Sequence, residues 1–103
     1  MGFELARQCA ARGMDVVLVG RNEERLVGAA AQLEFEHNIT AHAIVCDLAV
    51  PGAAAKVSAR VREMGLVVDV LVNNAGVGYD ARFVESDMAR QRALILTNDL
   101  ALV

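Results

Sequence analysis

The chain has 103 residues, 55 % of them hydrophobic, and its ten Lys and Arg against thirteen Asp and Glu give a net charge of −3. That is apolar material for one core and therefore for one domain. The basic residues are scattered, which leaves no electrostatic footprint for nucleic acid or an anionic membrane, and no apolar run approaches the ~20 residues that span a bilayer.

The opening stretch MGFELARQCAARG places Glu4 and Arg7 where a signal peptide would need an unbroken apolar region, so a cytoplasmic chain is expected. Phe3, Ala6, Cys9 and Ala10 share one face of a helix predicted over 3–12, and Gly13 offers a left-handed stop. Residues 16–19, VVLV, are a continuous aliphatic run, the pattern of a strand covered by helices on both faces. Asn22 supplies a capping oxygen for the next helix, in which Leu26, Ala30 and Leu33 repeat until about His37, an imidazole placed where the helix dipole favours it. A second strand is predicted over 41–46, ending at Asp47.

Pro51 reads as the first-turn proline of a helix whose Ala54, Val57, Val61 and Met64 keep helical spacing. Residues 67–72 form a third strand, and after a glycine-containing loop through Tyr79 a last amphipathic helix is predicted from about Ser86 to the end, with Met88, Leu94 and Leu96 among its apolar positions. Helices and strands in alternation specify an α/β class, a doubly wound parallel sheet with right-handed crossovers. Cys9 and Cys46 lack the spacing of redox or zinc sites and read as buried thiols; His42 and Cys46 share a strand face without a third ligand, so no metal is assigned.

In open parallel sheets, ligands bind beyond the carboxyl ends of the strands. The residues there are Gly20-Arg21, Asp47-Leu48 and Asn73-Asn74-Ala75-Gly76. Arg21 offers a guanidinium fork suited to a phosphate. Asp47 and the Leu48 backbone suit a base edge, although an aspartate in this position also serves as an ordinary turn residue. Ala75-Gly76 removes bulk where a flat ligand would approach the backbone.

With NNAG at 73–76, Asp-Leu at 47–48, the run A-R-G-x-x-V-x-L-V-G-R-N at 11–22 and Asn98 in LTNDL, the chain resembles the short-chain dehydrogenase/reductase (SDR) family of the classical type over essentially its whole length. The resemblance implies a partial Rossmann-like sheet belonging to an NAD(P)-dependent oxidoreductase that moves a hydride between cofactor and an alcohol or ketone, the parent enzyme being a homo-oligomer. It implies that Met1-Gly2 match the last two positions of the phosphate loop T-G-x-x-x-G-I-G. Gly20 stands where NAD-preferring members carry an acid and Arg21 where NADP-preferring members place a base, which favours NADP(H) over NAD(H). By the same resemblance Asp47 and Leu48 contact adenine, Asn74, Ala75 and Gly76 run beside the cofactor ribose, Asn73 ties strand ends together, and Asn98 holds a water in the catalytic proton relay.

The family's catalytic Ser and Tyr-x-x-x-Lys have no counterpart in these 103 residues: Tyr79 is followed four places on by Phe83, and the only lysine, Lys56, lies upstream. Residues 1–103 are therefore expected to be an internal fragment of one NAD(P)-binding domain, inactive by itself. A non-catalytic nucleotide-binding or regulatory module and a truncated gene product without function are the alternatives. In the family's strand order 3-2-1-4-5-6, the absent first strand belongs between the strands at 14–20 and 67–73. A gap or an improvised pairing is expected there, and with it a marginally stable, aggregation-prone chain.

Overall fold

Strand β1 (Asp15–Gly20) is buried along its whole length, as its VVLV run requires, and it forms the interior of a four-stranded sheet. The computed structural model describes residues 2–73 and 92–96. Its other strands are β2 (Ala41–Val45), β3 (Val70–Asn73) and β4 (Arg92–Leu96), and the helices are α1 (Gly2–Ala11), α2 (Glu23–His37) and α3 (Ala53–Glu63). The strand order is β2-β1-β4-β3 and every neighbouring pair is parallel.

The sheet is covered on both faces, which is what a parallel sheet needs. Val16 and Leu18 of β1 and Ala93 and Ile95 of β4 meet α1 through Ala6 and Ala10, and α2 through Leu26, Ala29 and Leu33. Val17, Val19, Leu94 and Leu96 point the other way, against Ala53, Val57 and Val61 of α3. Each fully buried Leu or Val contributes about 1.5–3 kcal/mol of transfer free energy.

Local chemistry sets the helix ends. Asn22 caps α2 as expected, its side chain accepting the N–H of Arg25 at 3.0 Å. His37 stands in the last turn, while the left-handed cap is Asn38, at φ 54°, whose N–H reaches the Glu34 carbonyl at 3.1 Å. Helix α1 closes at Gly13, φ 82°: the Gly13 N–H donates to Ala10 and the Met14 N–H to Cys9, the paired bonds of a Schellman ending.

Three expectations are corrected. Pro51 does not open α3. It occupies the second position of a turn closed by the Ala53 N–H on the Val50 carbonyl (3.1 Å), with Gly52 third at φ 84°, ψ 3°, the geometry of a type II turn, so the helix begins after the glycine. The third strand starts at Val70 rather than Val67, because Gly65 turns the chain at φ 71° and pairing begins only where the Asp69 N–H meets the Arg92 carbonyl.

The largest difference lies in the predicted terminal helix: residues 92–96 are strand β4, lying between β1 and β3. This is the improvised pairing foreseen for the central position. The segment RALIL is apolar enough for both faces of the slot, and two ladders of main-chain hydrogen bonds outweigh its helical spacing.

Candidate functional site

Because all four strands run the same way, their carboxyl ends, Gly20, Val45, Asn73 and Leu96, share one edge. Gly20 lies opposite Val45, and the Cys46 N–H donates to the Gly20 carbonyl at 2.8 Å. Two strand exits are thereby fastened side by side, and the exposed Arg21 and Asp47 leave the sheet as neighbours.

Each then meets a different local demand. Asp47 Oδ1 accepts the N–H of Ala49 at 3.0 Å and the Asp47 carbonyl accepts the N–H of Val50 at 3.2 Å, so this aspartate builds its own turn. That turn shapes the loop after β2, and Asp47 itself stays exposed. Leu48 is 3 % exposed, its side chain packed in the core with Val19 and Val57, so only its backbone is on offer at the edge. Arg21 lines an open cleft of about 590 Å³ with Asn22, Glu23 and Glu24 at the start of α2.

Gly2 opens α1. The helix ends through the Gly13 turn beside the start of β1 and packs on β1 and β4, so it runs back antiparallel to the strands and its Gly2 end returns toward the carboxyl edge. A helix of ten residues presents unpaired N–H groups at that end, a setting favourable to phosphate. Asn74, Ala75 and Gly76, which directly follow β3, and Asn98, two residues beyond β4, lie outside the described residues.

The sequence reading set Gly20-Arg21, Asp47-Leu48 and Asn73-Asn74-Ala75-Gly76 along one edge; of these, the described residues hold the exits of β1 and β2 and the end of β3. What that reading passed over is the acidic pair Glu23 and Glu24 in the cleft with Arg21. Acids in the first turn of α2 suit the helix dipole, and their sharing of a cleft with Arg21 follows only from how α2 leaves the sheet. Among the described residues no three His, Cys, Asp or Glu side chains are grouped to hold a metal ion, and no helix is long and apolar enough to cross a membrane.

The profile of the family described as short chain dehydrogenase matches residues 1–103. A very-long-chain 3-oxoacyl-CoA reductase of Meyerozyma guilliermondii is 32 % identical over 103 residues, covering 98 % of this chain and 30 % of the reductase. Among solved structures, the L-sorbose reductase of Gluconobacter frateurii complexed with NADPH and L-sorbose superposes with a TM-score of 0.63 at 33 % identity, over 82 % of this chain and 33 % of that one. The bulky-bulky ketone specific alcohol dehydrogenase of Comamonas testosteroni gives a TM-score of 0.60 at 34 % identity, over 81 % and 33 % respectively. The chain thus spans about a third of the length of the proteins it matches.

Proposed function

Because this chain belongs to the short-chain dehydrogenase family, we propose that residues 1–103 form the dinucleotide-binding part of an oxidoreductase that uses NADP(H) in preference to NAD(H) and acts on an alcohol or ketone of small size. When bound, the nicotinamide supplies or takes up the hydride. The chain's own residues bind and orient: Arg21 pairs with the 2′-phosphate, the exposed carboxylate of Asp47 and the backbone at Leu48 meet the adenine edge, and the Gly2 end of α1 faces the pyrophosphate. Asn74, Ala75 and Gly76 would line the ribose, and Asn98 would hold a water for proton transfer. The parent enzyme, as this reading has it, is a cytoplasmic homo-oligomer.

One observation carries the reading: the 2.8 Å bond from the Cys46 N–H to the Gly20 carbonyl, which brings Arg21 and Asp47 to one edge with glycine, not an acid, at position 20. An acid there would repel a 2′-phosphate; a guanidinium next to it attracts one. Glu23 and Glu24 in the same cleft oppose that attraction, so the preference is expected to be finite. Titration of the purified chain with NADPH and with NADH tests it: tighter binding of NADPH supports the reading, and equal binding, or binding of neither, overturns it.

A second reading, a nucleotide-binding module without hydride transfer, is favoured by β4, which fills the centre of the sheet from within the chain. Binding of NADPH with no oxidation of it by a panel of ketones would favour the module. Turnover would exclude it.

A further inference from the structure

We propose that the outer face of α2 is a docking surface for a second copy of this chain, the two α2 helices packing antiparallel about a two-fold axis beside Ala31. Leu26, Ala29, Ala30 and Leu33 turn into the core, and the face opposite carries Val27, Gly28, Ala31 and Phe35, all exposed. Val27 keeps 54 % of its surface and Phe35 90 %. A helix laid on a core ordinarily puts polar residues there; an apolar stripe along the solvent side is the mark of a contact surface.

The occupant is identified by a pattern that complements itself when reversed. Phe35 projects near one end of the stripe. Seven residues away, about two turns, Gly28 leaves a hollow: a Cβ built on it meets nothing within 4 Å, and with Arg25 it lines an open cleft of about 370 Å³. Turning one helix against the other about Ala31 brings Phe35 of each copy onto Val27 and Gly28 of the other. The ring then fills the hollow and lies against the Arg25 guanidinium, an apolar and cation–π contact that the two-fold makes twice. Ala31, at the centre, is small enough to let the helix axes approach to about 8 Å.

The charges obey the same symmetry. Arg25 and Glu36 stand eleven residues apart, about three turns, on one flank of the stripe and on either side of the same centre. Glu36 is held on that flank by Gln32, whose Nε2 donates to Glu36 Oε1 at 2.7 Å, whereas Glu34 is turned to β2, where Oε2 accepts the Ala41 N–H at 3.1 Å. In the antiparallel pair each Arg25 faces the other copy's Glu36. A parallel pair would set like charges together, and Glu24 on this face and the net charge of −3 disfavour an anionic membrane as the occupant.

The test uses the whole chain and reads its mass by sedimentation equilibrium without nucleotide, so its outcome is separate from the cofactor reading above. A single helix pair lies at the small end of specific interfaces, and the average mass should climb from one chain toward two between about 1 μM and about 1 mM. Phe35→Glu, at a position almost bare in the monomer, should weaken association by about tenfold or more. Arg25→Glu and Glu36→Arg form the second arm. Each puts a charge where the dipole of α2 favours it, an acid in the first turn and a base in the last, so both chains should keep their helical circular dichroism. Either one alone sets like charges together twice and should associate more weakly; mixed in equal amounts, one supplies both acids and the other both bases, and association should recover severalfold. A chain that stays monomeric up to about 1 mM, a dimer that Phe35→Glu leaves intact, or a mixture no more associated than its two components overturns the proposal.

Discussion

Asp69 and Arg92 clasp each other twice: the Asp69 N–H donates to the Arg92 carbonyl at 2.9 Å, and the Arg92 N–H donates to Asp69 Oδ2 at 3.0 Å. The pair fixes where β3 and β4 begin to run together, and the carboxylate is part-buried, so its bond is charge-assisted and poorly replaced by water. Asp69→Ala leaves the Arg92 N–H without that partner and should lower stability by about 1–2 kcal/mol. In a domain of this size that is a fall in Tm of about 4–8 °C per kcal/mol. Circular dichroism melts of the two proteins check it, and an unchanged Tm would show that the clasp is replaced by solvent without loss.

Two glycines should respond to alanine in opposite directions. Gly28 is an exposed interior residue of α2, and a Cβ built there meets nothing within 4 Å. Gly28→Ala should therefore stabilise by about 0.5–1 kcal/mol, through helix propensity and a less flexible unfolded chain. Gly52 also has room for a Cβ, but it holds φ at 84° in the turn before α3. Gly52→Ala should destabilise by about 1–2 kcal/mol despite the space. Urea midpoints at unchanged m-value read both.

Much of this was legible because the determinants are local. Asn22 predicted the start of α2 and VVLV predicted a doubly covered strand, since a capping oxygen and a run of β-branched residues act within their own segment. Pro51 misled because proline suits both a helical first turn and the second position of a type II turn, and Gly52 decides between them only once its left-handed conformation is known. Residues 92–96 misled for a longer-range reason. RALIL carries a helical spacing, and what makes it a strand is the paired demand of Asp15–Gly20 and Val70–Asn73, which are distant in sequence. Of the candidate site, the exits of β1 and β2 were readable from the ends of apolar runs; the shared cleft of Arg21 and Glu23 required the path of α2.

Replacing Arg21 should separate the two nicotinamide cofactors. If its guanidinium pairs with the 2′-phosphate, Arg21→Ala removes charge-assisted bonds of about 1.5–3 kcal/mol and weakens NADPH binding by about 10- to 100-fold. NADH, which lacks that phosphate, should bind as before. Equal weakening of both cofactors would assign Arg21 to the shape of the β1 exit and not to cofactor choice, and isothermal titration with each cofactor distinguishes the outcomes.

Cys9 should be an unreactive thiol at neutral pH. It is half-buried in a cleft of about 340 Å³ between α1 and β3, lined also by Leu5, Gln8, Arg12, Met14 and Val72. Burial raises its pKa above the usual 9.0, and the nearby Arg12 charge opposes that rise only in part. The fold thus favours the neutral thiol, so whatever stability Cys9 contributes is fully present below the pKa of the unfolded thiol and is lost as pH climbs through the higher folded value. In a Cys46→Ser background, where Cys9 alone reports, the rate of alkylation by iodoacetamide should reach half its maximum above pH 9.0, since only the thiolate reacts. Arg12→Ala should move that midpoint higher still, because it removes the one charge pulling the other way. Denaturant should bring the midpoint down to the ordinary thiol value in both proteins. A folded-state midpoint at or below 9.0, or one that Arg12→Ala lowers, would mean that Cys9 is wetter than its place between α1 and β3 implies.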